Sequence, residues 1–255
     1  TPCLAHASLN KESLQKIQKS IIENNFEISG KLKITQAVDE LDKIIFEVSL
    51  KDFKNGDQVE ADLVESRYNF HTHPVNAYTK YNCELGWPSK DDYVIFATSA
   101  IDNKKPTIFH LVCTKEGIYV LSIPQESVLY MKKLQDDRRD LEDIFETYIN
   151  ENIEIDKLNF KMSEGTITAD NKFINNVSSY IRYINNRPLF KIDIDEQEVS
   201  FPLVKVDFLN WKGPLGVLDS PLYRVYFSYY YPKVNGNCIM KEEHLRKETK
   251  QRTRQ

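Results

Sequence analysis

Residues 68–74 of this 255-residue chain read Tyr-Asn-Phe-His-Thr-His-Pro. Their aromatic and β-branched character predicts a β-strand that ends at Pro74. Because successive strand side chains point to opposite faces, His71 and His73 should share a face, within about 7 Å of each other. Two imidazoles so placed can both bond one Zn²⁺ at about 2.0–2.1 Å. The segment therefore predicts a strand that carries two metal ligands.

A carboxylate that could complete the site follows in residues 86–92, which read Gly-Trp-Pro-Ser-Lys-Asp-Asp. The Gly-aromatic-Pro sequence predicts a turn, and Ser89 is a natural N-cap for a helix over residues 91–100. Asp92 would then lie in the first helical turn, where a carboxylate is favoured. Three protein ligands leave one position open for water, which is typical of a catalytic zinc site. The simpler interpretation is two polar histidines at a strand end.

Residues 26–32 read Phe-Glu-Ile-Ser-Gly-Lys-Leu and add a third element, Glu27 followed by Gly30. A Glu with a Gly three residues later, then His-x-His-Pro, then Ser-x-x-Asp, resembles the motif of the JAMM (MPN-plus, JAB-domain) zinc metalloproteases. The resemblance covers Leu9 to Pro124. It implies an α+β fold in which a mixed sheet with flanking helices forms the cytidine-deaminase-like core of that family. It also implies an isopeptidase that acts on ubiquitin or a ubiquitin-like protein.

The resemblance assigns roles to five residues of this chain. It implies that Zn²⁺ is the cofactor, held by His71, His73 and Asp92. Glu27 would be the general base that takes a proton from the water and passes it to the leaving amine. Ser89 would stabilise the oxyanion. Glu47, Glu60 and Glu65 compete for the base role, but they lack the local pattern around Glu27.

One departure is the long segment 75–88 between the proline and the serine. A longer segment there is similar to the JAB-type proteins of some large DNA viruses, which would allow a virion location. We expect residues 76–88 to form one wall of the substrate groove, since loops on a rigid scaffold often carry specificity. Cys83 within it is interpreted as a free thiol, with a metal ligand or regulatory thiol as the alternative.

Composition excludes several classes of protein. The formal net charge of −4 gives no support for nucleic-acid binding. No apolar run approaches the roughly 18 residues of a membrane span. The four cysteines form no Cys-x-x-Cys pair, which predicts a reducing compartment, the cytoplasm or nucleus. The chain begins at Thr1 without Met, which is expected if a leading segment has been removed or left out.

Hydrophobic periodicity places the remaining elements. Helices are predicted over 9–24, 91–100, 128–150 and 173–185, a loop over 53–57, and strands over 26–35, 43–50, 68–73, 107–114, 117–123, 189–194, 203–209 and 222–231. We expect a JAMM/MPN-like domain over residues 1–125 and a C-terminal α+β region over 126–255 that ends in a basic tail. His110 is interpreted as a satisfied core histidine, and His6 and His244 as exposed.

The sequence leaves three functions open. The leading one is a zinc-dependent isopeptidase or peptidase. The second is an MPN-like structural or assembly protein, associated with a viral capsid if the chain is viral. The third is a metal-dependent hydrolase of a small molecule or thiocarboxylate. The tyrosines of residues 222–231 are either sheet packing or a surface for a macromolecular assembly partner. No membrane or nucleic-acid partner is expected.

Overall fold

The structure, a computed structural model, describes fourteen parts of the chain. They are residues 4–38, 44–55, 67–80, 85–102, 106–123, 127, 132–133, 140, 143–147, 177–185, 190–194, 197–201, 204–211 and 225–230. The labelled elements are, in chain order, β1 (Leu4–Leu9), α1 (Lys11–Glu23), β2 (Ile28–Val38), β3 (Ile44–Asn55), β4 (Tyr68–Thr72), α2 (Val75–Lys80), α3 (Lys90–Ala100), β5 (Phe109–Cys113), β6 (Gly117–Ser122), α4 (Val177–Asn185), β7 (Phe190–Ile194), β8 (Gln197–Phe201), β9 (Lys205–Asn210) and β10 (Val225–Tyr230).

Eight strands form one mixed sheet in the order β10-β1-β3-β2-β4-β5-β6-β9, and β7 and β8 form a separate hairpin. The pairs β1–β3 and β4–β5 are parallel, and the other neighbours are antiparallel. The sheet curls so that β10 and β9, at its two ends, come close together. The fold is therefore mixed α+β, as predicted. The strand that ends at His71 and Thr72 lies in the middle of the sheet.

Helix α1 covers one face of the sheet at β4 and β5. Its first turn is capped by the Asn10 side chain, which accepts a hydrogen bond from the Ser13 backbone N–H at 3.1 Å. Leu14, Ile17 and Ile21 recur at helical spacing and are buried together with Phe70. This packing orients β4, because Phe70 faces α1 and its neighbours in the strand must face the other way.

The opposite face of the sheet is covered by α3 and α4. Phe96 of α3 and Tyr180 of α4 are fully buried in one cluster with Val112 of β5. Strand β5 is therefore buried on both faces, which explains why four of its five residues are apolar. By the alternation of strand side chains, His71 and His110 lie on this α3 face.

Most predicted elements of the N-terminal half are confirmed within a few residues, with three corrections. Strand β2 begins at Ile28, so Glu27 precedes the strand instead of lying in it. Residues 53–55, predicted as loop, continue β3. The predicted loop 76–88 begins as helix α2, whose Tyr78 is buried. Strands β1 and β8 were not predicted from the sequence.

The C-terminal half joins the same sheet. Strand β9 pairs with β6, and β10 pairs with β1. Strands β9 and β10, which come from the expected C-terminal region 126–255, therefore belong to the same sheet as β4. Of the predicted helix 128–150, residues 132–133 and 143–147 are helical, and the rest lie outside the described residues. The side chains of the 225–230 tyrosines, Cys83 and His244 also lie outside them, so those predictions stay open.

Two further observations concern a cysteine and the absence of membrane-spanning helices among the described residues. Cys113 is a buried free thiol, and its burial raises the pKa of that thiol well above the usual range. Among the helices in the described parts of the chain, none has both the length and the apolar character needed to cross a bilayer.

Candidate metal centre

The end of β4 brings His71 and His73 together. Their Nε2 atoms are 3.1 Å apart, and both rings point to the α3 face. His71 is buried, and the His73 side chain is 15% exposed. His73 lies one residue beyond the strand, but its backbone N–H donates to the carbonyl of Cys113 at 2.9 Å. That bond continues the pairing with β5, so the two histidines keep the strand alternation that the sequence predicted.

Helix α3 brings Asp92 back to the two imidazoles. Ser89 is its N-cap: the Ser89 Oγ accepts from the Asp92 N–H at 3.2 Å, and the Ser89 N–H donates to Asp92 Oδ2 at 2.8 Å. This reciprocal pair fixes the carboxylate. Asp92 Oδ1 then lies 3.2 Å from His71 Nε2, and Oδ2 lies 3.5 Å from His73 Nε2. The three predicted ligands therefore meet, although residues 75–88 separate them in the sequence.

The spacing of these atoms is compatible with a single metal ion bound between them. Bonds of about 2.0–2.1 Å imply separations of about 3.3–3.4 Å between ligand atoms. His71 Nε2 lies 3.1 Å from His73 Nε2 and 3.2 Å from Asp92 Oδ1, and His73 Nε2 lies 3.5 Å from the other carboxylate oxygen, Oδ2. Asp92 Oδ2 already accepts the Ser89 N–H, so Oδ1 is the oxygen best placed to bind a metal ion. Among the described residues, His71, His73 and Asp92 form a group whose ligand atoms lie close enough together to hold one metal ion.

Bonds on the outer side of each ring determine which nitrogen faces inward. The Nδ1 of His73 lies 2.6 Å from the carbonyl oxygen of Gly86, which can only accept, so His73 donates from Nδ1. His71 Nδ1 lies 2.6 Å from the Nε2 of His110. Both inner Nε2 atoms can then offer lone pairs beside the Asp92 carboxylate. Such a cluster of acceptors needs a cation between them, either a metal ion or a proton.

Without a metal ion, the site retains a proton. Burial alone would lower the pKa of His73, but the hydrogen bond and charge of Asp92, with the charge of Glu27, raise it to about 9. Burial alone would raise the pKa of Asp92, but His71 and His73 hold it well below its usual range. For His110, burial and then the charge of His71 hold the pKa well below its usual range, so its ring is neutral.

Glu27, the residue before β2, lies at the edge of this centre. Its Oε1 lies 4.0 Å from His73 Nε2. The Thr72 hydroxyl, on the face of β4 away from the metal ligands, accepts from the Ile28 N–H at 2.9 Å and fixes the backbone beside Glu27. Gly30 is needed here, because a side chain would collide with the Asp52 carbonyl and the Phe70 ring. Strands β2 and β4 can therefore pair closely next to the site.

Glu47 is the competing base that the structure describes. Glu47 lies in β3 and accepts from the Asn10 side chain at 3.4 Å. Glu60 and Glu65 lie outside the described residues.

The Ser89 hydroxyl lies at the N-terminus of α3 beside Asp92, and its oxygen already accepts a hydrogen bond from the Asp92 N–H. Its own hydrogen is not used in that bond, so it can be donated to a substrate oxygen.

The long segment 75–88 contacts the centre at its C-terminal end. The Gly86 carbonyl accepts from His73, and the Gly86 N–H donates to Glu116 Oε1 at 2.7 Å. Glu116 also accepts from the hydroxyls of Tyr78 at 2.5 Å and Tyr119 at 2.9 Å. A side chain at position 86 would collide with the Tyr78 hydroxyl. The Glu116 carboxylate thus anchors the segment that orients His73.

Sequence reasoning missed Glu116 and the role of His110. Glu116 lies between the predicted strands 107–114 and 117–123, and no motif in the sequence singles it out. The prediction that His110 is a buried core histidine is confirmed, and the structure adds that its ring contacts His71. His6 is exposed, as predicted. No family model matches the chain, and neither a curated protein nor a solved structure shows significant similarity to it.

Proposed function

We propose that the chain is a zinc-dependent hydrolase that cleaves an amide or isopeptide bond. The observation that carries the proposal is the convergence of the His71, His73 and Asp92 side chains, with His71 Nε2 3.1 Å from His73 Nε2 and 3.2 Å from Asp92 Oδ1, and with Glu27 Oε1 4.0 Å from His73 Nε2. Three protein ligands and a nearby carboxylate form the set that zinc hydrolases require. A structural zinc site would instead be closed by a fourth protein ligand.

Each residue has a role that follows from its position. A bound Zn²⁺ would supply Lewis acidity and bring the pKa of a water at the open position to about 7. Glu27 is placed to take the proton of that water and to return it to the leaving amine. Ser89 is placed to donate its hydroxyl hydrogen to the developing oxyanion. The Gly86 carbonyl and the Ser89 backbone N–H keep His73 and Asp92 in position.

The substrate class comes from the JAMM resemblance of the motif. By that resemblance, the substrate is ubiquitin or a ubiquitin-like protein joined to a lysine. The helices α1 and α3 on opposite faces of a mixed sheet are compatible with the cytidine-deaminase-like core of the family. The presence of all five motif side chains favours catalysis over a purely structural role, because a scaffold has no need of the Glu27 carboxylate.

The proposal is tested by comparing wild type, Glu27→Gln and Glu47→Gln, each loaded with zinc, on ubiquitin dimers of different linkage. Wild type should cleave at least one dimer. Glu27→Gln should keep its zinc and lose at least about 10²-fold in rate, as expected for loss of a general base. Glu47→Gln, a matched change on β3, should stay within a few-fold of wild type. Equal rates for Glu27→Gln and wild type would contradict the assignment, and zinc binding without hydrolysis would favour an assembly role.

A further inference from the structure

Behind the metal centre, a buried chain of hydrogen bonds runs from β4 to β5 and back. His71 Nδ1 lies 2.6 Å from His110 Nε2, and His110 Nδ1 lies 2.5 Å from the Asn69 side-chain oxygen. Asn69, His71 and His110 are 0%, 7% and 1% exposed. The parallel register aligns Asn69 with His110 and His71 with Val112, which places all three side chains on the α3 face.

The chain of bonds has one consistent direction. An amide oxygen only accepts, so His110 must donate to Asn69 from Nδ1. A neutral ring carries a single N–H, so His110 Nε2 is then an acceptor. His71 must therefore donate to it from Nδ1. The lone pair of His71 is left on Nε2, which is the atom that faces His73 and Asp92.

The donor and acceptor order of these hydrogen bonds indicates that His110 does more than pack in the core. The neighbours of His110 along β5, Phe109 and Leu111, are fully buried and apolar. A leucine or valine would fit this pattern, and a histidine there needs two polar partners to offset its burial. The partners that it has are Asn69 and a predicted zinc ligand. The two imidazoles are also stacked, with centroids 4.8 Å apart and planes at 24°.

We infer that His110, itself oriented by Asn69, is a positioning residue that fixes the Nδ1–H tautomer and the ring orientation of His71 for metal binding. The inference rests on the proposed zinc site. Outer partners of this kind raise the basicity of a histidine ligand, and their loss typically costs 10–100-fold in metal affinity. The carbonyl of Gly86 does the same for His73, so each imidazole is held by its own outer acceptor.

Two substitutions of nearly equal shape separate this role from packing. His110→Gln keeps a carbonyl oxygen that can accept from His71, whereas His110→Met has no comparable acceptor. Zinc affinity is measured by chelator competition, and thermal denaturation of the metal-free proteins reports folding. We expect about 10–100-fold weaker zinc binding for His110→Met and less than about tenfold for His110→Gln. Wild-type affinity in a folded His110→Met would overturn the inference, as would equal losses in both variants.

A second measurement needs no variant and no metal. Nitrogen-15 shifts of the imidazoles in metal-free wild-type protein report which ring atoms carry hydrogen. We expect hydrogen on Nδ1 of both His71 and His110, and an unprotonated Nδ1 on His71 would overturn the inference. If wild type binds no zinc, the proposed function fails, but these shifts still decide whether His110 sets the tautomer of His71. The two failures are therefore distinguishable.

Discussion

Raising the pH of the metal-free protein should destabilise it in a defined window. The pKa of His73 rises from 6.5 to about 9 on folding, because Asp92 and Glu27 more than offset the effect of burial. The folded state thus binds this proton more tightly than the unfolded state. The resulting stability is fully present below pH 6.5 and is lost as the pH rises through about 9. A shift of about 2.5 pKa units corresponds to at most about 3 kcal/mol of unfolding free energy.

The assay is urea denaturation of the metal-free protein between pH 5.5 and 9.5, beside His73→Gln as the control. The difference in unfolding free energy between the two proteins isolates the contribution of His73 from other groups that titrate in this range. That difference should shrink by about 2–3 kcal/mol between pH 6.5 and 9.5. A difference that stays constant across the window, or grows with pH, would refute the protonated cluster.

The same proton should govern metal binding. Zinc has to displace it below pH 9, so the apparent zinc affinity should rise about tenfold per pH unit between pH 6.5 and 9. Asp92 should make the stability fall at low pH, because its pKa is lowered on folding. Its contribution is present above its ordinary pKa of 3.8 and is lost as the pH falls. The combined contribution of His73 and Asp92 to the stability of the metal-free protein should therefore be largest between about pH 4 and 6.5.

Two further predictions concern the elements that hold the ligands. Ser89→Ala should cost about 1 kcal/mol in thermal or chemical denaturation through loss of the N-cap, and Ser89→Thr should restore most of it; no difference between the two would argue against the capping box. Glu116→Ala should cost at least about 2 kcal/mol, because three donors lose their shared acceptor, and it should also weaken zinc binding by releasing Gly86. Lys115→Ala is the matched control in the same turn, and an equal effect from both would show that the turn itself matters and the carboxylate does not.

The ligands could be found from the sequence because each obeys a local rule. Strand alternation puts His71 and His73 on one face, and the capping preference of Ser89 starts α3 so that Asp92 falls in its first turn. These rules act over a few residues and do not depend on the rest of the fold. The distance from Glu27 to His73 depends instead on the pairing of β2 with β4, which only the three-dimensional structure supplies.

Some features could not be predicted because they depend on contacts between residues that are far apart in the sequence. His110 reads as an ordinary strand residue, and nothing near it signals that parallel pairing will bring it to His71. The sequence around Glu116 indicates a solvated turn, yet the Glu116 carboxylate accepts a hydrogen bond from the backbone N–H of Gly86, 30 residues away. Strand β1, at Leu4–Leu9, contains two alanines and a serine, so its own propensity is weak and its pairing with β3 and β10 determines it.

The central claim is that His71, His73 and Asp92 hold one zinc ion, and the most direct test is elemental analysis of the protein purified under zinc-replete conditions. Wild type should contain one zinc per chain, Glu27→Gln should also contain one, and His71→Ala and Asp92→Asn should contain far less while remaining folded by circular dichroism. Equal zinc in wild type and His71→Ala, or none in wild type, would contradict the account.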